Sequence, residues 1–371
     1  MTTPMAGRRI LAAMSGGVDS SVAAALLVER GFEVVGATMK TFCYSGEGSH
    51  AKSCCGLDGI IDAQLVAERL GIPHYVFDVE DQFTRDVIDD FVSEYVRGRT
   101  PNPCVRCNSH TKFGDLLQRA AELGCDGIAT GHYVRIEHGP DGSRLLRGMD
   151  HAKDQAYFLW GLDPEVLPRL HFPLGELTKP EVRERARALE LVTADKPESQ
   201  EICFVPTGDY RDLLEKRLET RHPALEPGPI VDEAGAVLGE HDGYAGFTIG
   251  QRRGLGGGFT RPMFVLEIRP DTREVVVGPR EALEMTAIRV ETPHWLGDPP
   301  EPGDSLAVQV RHRAPALEVG VRAIDAEAVV LEFDRPRRAV APGQSAVVFA
   351  DDVVVGGGRI GRVIRPVGVS A

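Results

Sequence analysis

Ile10-Leu11-Ala12-Ala13-Met14-Ser15-Gly16-Gly17-Val18-Asp19-Ser20-Ser21 is the stretch on which the reading turns. A short apolar run, Ile10–Met14, ends in a Ser/Gly turn and gives way to a helical pattern over Ser20–Arg30. Two glycines let backbone amides approach an anion, and the helix N-terminus adds a positive dipole. Ser15, Ser20 and Ser21 add hydroxyl donors. Asp19 is the informative residue, because a carboxylate beside bound phosphates makes sense mainly as a Mg²⁺ ligand. No lysine follows, so this is not the GxxxxGK[ST] loop. It is not GxGxxG either, which argues against a dinucleotide-binding dehydrogenase. The plainer alternative is a β-turn-α connection with capping serines.

Working outward, Phe32–Thr38 reads as a second strand, Leu57–Leu70 as a helix and His74–Val79 as a third strand. Asp81–Val96 and Lys112–Leu123 read as helices and Gly127–Thr130 as a fourth strand. Alternation of this kind predicts a parallel sheet covered on both faces, an α/β domain. Lys179–Leu189 is a further clear helix. After about Phe204 the texture changes to Pro/Gly punctuation (222–229, 243–258). From Thr286 on, short β-type runs recur at Ala287–Val290, Leu306–Val310, Leu317–Ala323, Val329–Phe333, Ala346–Phe349 and Val353–Val355, the spacing of a small barrel or sandwich.

A chain of 371 residues is long for one core. No segment approaches the roughly 20 apolar residues of a membrane span, and the first residues lack a signal-peptide pattern. The expectation is a cytoplasmic protein with no membrane partner. A net charge of −13 argues against a generic nucleic-acid binder. Residues 305–365, with nine Arg against seven acids, form a mildly basic region within that acidic chain. The seven cysteines, Cys43, Cys54, Cys55, Cys104, Cys107, Cys125 and Cys203, suit free thiols, metal ligands or catalysis better than a disulfide framework.

Further motifs follow in order: Asn102-Pro103-Cys104-Val105-Arg106-Cys107-Asn108, Thr130-Gly131-His132-Tyr133, Lys153-Asp154-Gln155-Ala156-Tyr157-Phe158, Phe172-Pro173-Leu174-Gly175, Ser199-Gln200-Glu201-Ile202-Cys203-Phe204 and Thr248-Ile249-Gly250-Gln251-Arg252-Arg253-Gly254. The Ser15–Ser20 loop resembles that of the ATP pyrophosphatase (PP-loop) superfamily. The whole set resembles the tRNA-specific 2-thiouridylase family, over about residues 8–365. The resemblance implies a PP-loop catalytic domain (1–206), a small central domain (207–280) and a C-terminal β-barrel (281–371). It implies ATP-dependent replacement of the 2-oxygen of a wobble uridine by sulfur, with Mg²⁺. ATP would lie against Ala13, Met14, Ser15, Gly16, Gly17, Val18, Asp19 and Ser20, with Met39 and Gly131. Asn102, Pro103 and Cys104 would sit beside the target base. His132, Lys153, Asp154, Gln155, Arg311, His312 and Gln344 would contact tRNA; structural hydrogen bonding is the bland alternative for His132 and Gln155.

In the family pattern a cysteine matching Cys203 carries sulfur as a persulfide and one matching Cys107 is its partner. This chain departs from the common NPDxxCN at Cys104, where Asp is usual. The change creates a CxxC pair, so two readings stay open. Cys104, Cys107 and Cys203 could hold a [4Fe–4S] cluster and leave one iron for inorganic sulfide. Otherwise a persulfide relay runs from a sulfur-donor protein with Cys104 as an extra or resolving thiol. Cys125 reads as a buried apolar residue, and Cys43, Cys54 and Cys55 as ambiguous. Arg97, Arg99, Arg106, His110 and Lys112 surround the CxxC, either to lower thiolate pKa and attract phosphate or as a solvated helix face. Competing functions are another PP-loop ligase acting on a small molecule, and a sulfur or iron–sulfur carrier without adenylation.

Overall fold

A computed structural model describes residues 7–41, 57–140, 142–198, 202–205, 208–219, 221–257, 259–338 and 340–366. Cys43, Cys54, Cys55 and the Ser199-Gln200-Glu201 part of one motif lie outside them. The chain divides into two compact units. One comprises Met1–Ile88, Cys104–Gly208 and Asp352–Val354; the other comprises Asp89–Pro103, Asp209–Asp351 and Val355–Ala371.

In the first unit the strands are β1 (Arg9–Ala13), β2 (Glu33–Lys40), β3 (His74–Asp78), β4 (Gly127–Ala129), β5 (Val134–Gly139), β6 (Gly142–Arg147) and β7 (Leu170–His171). Five of them form a parallel sheet in the order β3-β2-β1-β4-β7. β1 is central, with Ile10 and Leu11 wholly buried, as an unbroken apolar run requires. Helix α1 (Val18–Glu29) connects β1 to β2 and is buried from Ser20 to Leu27, so it is apolar nearly all round. Helix α2 (Leu57–Leu70) buries Gly59, Ala63, Val66 and Ala67 and turns its charged residues outward. The helix Lys179–Ala188 packs Val182 and Ala186 into the same core as α1. Its start is fixed by the Glu181 carboxylate, which accepts from the Thr178 amide and hydroxyl, each at 2.7 Å.

Two departures from the sequence reading concern helices. The expected helix over 81–96 is interrupted by a π-helical turn at Thr84–Ile88, and a second π-helical stretch, Cys107–Asp115, leads into the helix Leu116–Glu122. The β5–β6 hairpin was not anticipated; its strands hold few buried residues, so apolar alternation is faint. Late in the chain, Asp352–Val354 returns to this unit. Val353 pairs with Leu146, and the Arg147 amide donates to the Asp352 carbonyl at 2.9 Å.

The second unit holds a four-stranded sheet, β8 (Gly228–Val231), β9 (Val237–His241), β10 (Phe264–Arg269) and β11 (Glu274–Gly278), in the order β10-β11-β8-β9. Then come β12 (Met285–Trp295), β13 (Ser305–Gln309), β14 (Leu317–Ile324), β15 (Ala328–Arg337), β16 (Ser345–Ala350) and β17 (Val353–Ile364). They run in the order β12-β15-β14-β13-β16-β17, and β12 pairs with β17. That pairing closes a six-stranded antiparallel barrel, the expected C-terminal architecture, around Met285, Ile288, Val308, Val319, Leu331 and Ile360. The segment Asp89–Pro103 belongs to this unit through charge: Arg359 holds both Asp90 oxygens (2.8 and 3.1 Å) and Glu94 (3.0 Å), whose side chain is 1% exposed.

Candidate functional site

The loop after β1 is shaped by close backbone contacts. Met14 is tied to β2 by its amide, which donates to the Ala37 carbonyl (2.7 Å), and by its carbonyl, which accepts from the Thr38 hydroxyl (2.7 Å). The Ser20 hydroxyl accepts from the Ser15 amide (3.1 Å) and donates to the Gly17 carbonyl (3.0 Å), curling the turn around the start of α1. Gly16 has φ +71°, and a Cβ there would lie 2.1 Å from the Gly59 carbonyl oxygen. At Gly131 a Cβ would lie 2.7 Å from Asp19 C and Ser20 N, so bare backbone after β4 is what lets that strand end meet the helix start. Ala13 and Met39, on β1 and β2, are half-buried beside this turn, whereas Met14 is buried.

The loop itself lacks a cation, yet two lysines from distant sequence reach it. The Lys196 ammonium donates to the Gly16 carbonyl at 2.8 Å and pairs with Asp62. The Lys179 ammonium donates to both carboxylate oxygens of Asp19, at 2.7 and 2.8 Å, and lies 3.1 Å from Glu198, which also binds Lys153 at 2.7 Å. Tyr133 donates its hydroxyl to Asp19 Oδ1 at 2.8 Å. Burial, then the Asp19 charge, push the Tyr133 phenol up, so it remains a donor. Hydrogen bonds from Lys153, and then Lys179, hold the Glu198 carboxyl below the usual range. Sequence reasoning named Asp19 but not these partners. The Lys179 helix was legible; that its first residue faces a turn 160 positions earlier was not.

The Cys104–Cys107 pair spans the turn Pro103–Arg106 and the first π-helical residue. Wide turns of this type recur at functional sites. Cys104 is exposed, Cys107 and Cys203 are half-buried, and burial pushes the Cys125 thiol up, in keeping with an apolar role. Among the described residues no group of three or more His, Cys, Asp or Glu comes together to hold a metal ion. Nearby, Arg106 donates to the Asp86 carbonyl at 3.2 Å. Asp115 is pushed up by burial and by Asp86.

Comparison with known proteins follows from this geometry. A family model described as the tRNA methyl transferase HUP domain matches residues 8–207, a PRC-barrel domain of the same series matches 211–279, and an aminomethyltransferase beta-barrel domain matches 285–360. The tRNA-specific 2-thiouridylase of Rhodospirillum centenum is 48% identical over 362 residues, covering 95% of this chain and 92% of that one. That of Carboxydothermus hydrogenoformans is 47% identical over 359 residues, covering 95% and 97%. The chain belongs to the tRNA-specific 2-thiouridylase family. A solved U34-tRNA thiolase from Methanococcus maripaludis, described with its [4Fe-4S] cluster, is 22% identical over 57% of this chain and 68% of that one. Its TM-score of 0.37 is too low to bear on the chemistry.

The positions that the 2-thiouridylase resemblance assigns to tRNA fall into two sets. His132 is buried between Phe113 and Phe172, its Nδ1 2.6 Å from the Thr130 hydroxyl; burial holds it well below the usual histidine range, hence neutral. Asp154 takes Arg147 at 2.7 Å and the amides of Gly148 and Ala156, while Gln155 Oε1 accepts from the Tyr133 amide at 2.9 Å. These three side chains do internal work, which is the bland alternative raised for His132 and Gln155. Lys153, half-buried, is paired with Glu198. In the second unit Gln344 donates to the carbonyls of Thr100 (2.9 Å) and Pro101 (3.2 Å), directly before Asn102 and Pro103. Arg311 is exposed and His312 half-buried, on the turn after β13. Arg97 and Arg99 pair with Glu94, and Arg99 also with Glu291. No helix among the described residues is long and apolar enough to cross a membrane.

Proposed function

We propose that this chain is an ATP-dependent tRNA-uridine 2-sulfurtransferase that adenylates the 2-oxygen of a wobble uridine and then replaces it with sulfur. Family membership names the reaction class, and the observation that carries the nucleotide half is the turn at Ser15–Ser20. The turn opens a helix, whose N-terminus suits an anion, and Lys179 and Lys196 bring ammonium groups to a loop that has none. The uridine oxygen attacks the α-phosphorus, the bond to the β-phosphate oxygen breaks, and pyrophosphate leaves. Asp19 would hold Mg²⁺, a hard cation that takes carboxylate oxygen. Bound there, it would supply neutralising charge for the departing pyrophosphate.

In the second half, the terminal sulfur of a Cys203 persulfide attacks C2 and AMP leaves. The Cys107 thiolate then takes the Cys203 sulfur, the persulfide S–S bond breaks, and a Cys107–Cys203 disulfide forms while sulfur stays on C2. A two-electron thiol reductant restores the pair each turnover. Cys104, three residues before Cys107 and exposed, would open that disulfide by exchange. No step is routed through a cluster. A sulfur-donor protein loads Cys203. Exposed Arg311 would contact tRNA phosphate, and a tRNA substrate suits a cytoplasmic enzyme.

The deciding experiment measures pyrophosphate release and iron together. Release should rise with tRNA and not with amino acids, which a small-molecule ligase would reverse, and should vanish in Asp19→Ala, which a carrier would survive. Anaerobically purified protein should hold negligible iron; about four irons per chain, lost in Cys104→Ala, would replace the relay with a cluster.

A further inference from the structure

We propose that Lys179 is the enzyme's mobile pyrophosphate cation, stored on Asp19 until magnesium takes that carboxylate. The inference rests on reading the Ser15–Ser20 turn as the nucleotide site. Asp19, Lys179, Glu198 and Lys153 form a line of alternating charge leading away from the turn, with contacts of 2.7, 3.1 and 2.7 Å. Two carboxylates and two ammoniums sum to zero, so without an anion Lys179 is fully compensated. Its side chain is 9% exposed, which makes that compensation necessary.

Magnesium and this ammonium compete for the same atoms, since Lys179 donates to both Asp19 oxygens. A divalent ion placed on either oxygen would repel an ammonium less than 3 Å away. Once metal is bound, Lys179 keeps only Glu198, already shared with Lys153, and carries unspent charge beside the turn. The nearest new anion is the phosphate chain. Its backbone does not need to move: the Lys179 amide is fixed to Asp150 Oδ2 at 2.9 Å and the Thr178–Glu181 cap holds the helix start. Only the flexible four-carbon stem swings. Lys196 is unsuited to this task, because its ammonium holds the Gly16 carbonyl and Asp62 and so orders the turn itself.

The test is calorimetric titration with inorganic pyrophosphate, once in EDTA and once in excess magnesium, beside AMP and Mg-ATP, on the full-length chain. In magnesium, where the ammonium is released, Lys179→Met should weaken pyrophosphate about tenfold or more, as loss of a charge-assisted hydrogen bond does. AMP binding should stay near wild type, and Lys179→Arg should recover most of the loss. Asp19→Asn, which frees the ammonium, should bind metal-free pyrophosphate more tightly than wild type. Unchanged or weaker binding in Asp19→Asn overturns the proposal even where Lys179→Met folds poorly. So does a Lys179→Met protein that binds pyrophosphate like wild type in magnesium. If wild type itself fails to bind Mg-ATP, the nucleotide-site reading falls; if it binds and the variants disobey, only the role of Lys179 does.

Discussion

The Lys179 ammonium and the Asp19 carboxylate meet at 2.7 and 2.8 Å although 160 residues separate them. This contact makes the loop after β1 electrically complete before any ligand arrives, and it explains how a phosphate site can function without a lysine of its own. The remaining geometry of that loop is backbone against backbone, which makes it unusually sensitive to single atoms.

Gly16→Ala tests that sensitivity. The new methyl would meet the Gly59 carbonyl at 2.1 Å from a residue already at φ +71°. We expect a loss of about 2 kcal/mol or more in stability and a large drop in ATP affinity. Urea unfolding and nucleotide titration give both numbers; wild-type ATP affinity would show that the turn does not have to keep this shape.

Thiol labelling should follow exposure. Among the four described cysteines, iodoacetamide on the native protein should reach Cys104 first, Cys107 and Cys203 more slowly, and Cys125 last, because Cys125 is buried and its thiol pushed up. Mass spectrometry of a time course reads the order. Early modification of Cys125 would contradict its apolar role, for which Cys125→Ala should leave thiolation intact.

Much of this arrangement was readable beforehand, for a physical reason. β1, α1 and the barrel strands bury residues in local periodic patterns, and periodicity is written in adjacent positions. The hairpin β5–β6 escaped because its strands carry Arg135, Glu137, Arg144 and Arg147 with few buried residues. β8 to β11 were hidden by the glycines and prolines around them. The partners of Asp19 escaped for a different reason. A charge pair between positions 19 and 179 leaves no local trace, and neither does the grouping of 89–103 with the barrel.

That second grouping can be tested by its charges. Arg359→Met would strand Glu94, 1% exposed, with only Arg97 and the more distant Arg99, and would leave Asp90 without its bidentate partner. A cost of about 3 kcal/mol is expected, read from the urea midpoint. Adding Glu94→Gln should recover part of it; a single variant as stable as wild type would mean the network is idle.

Acid should destabilise the first unit through His171. Burial lowers its pKa to about 4, below the value near 6.5 of an unfolded histidine. A group depressed in the folded state contributes stability that is present above pH 6.5 and is lost as pH falls toward 4. His171→Gln should flatten the stability profile by about 2 kcal/mol across that window. An unchanged slope would show that other groups govern it.

The return of Asp352–Val354 to the first unit has a consequence for how the protein is made. The ribosome releases the nucleotide-loop half of the chain early, but the Asp352 carboxylate that meets Arg135, and the strand beside it that closes onto Leu146, are translated much later, Asp352 217 positions after Arg135. A premature stop anywhere in the barrel thus injures the N-terminal unit as well. Synthesis of the barrel thereby becomes a condition for finishing the unit that leaves the ribosome first.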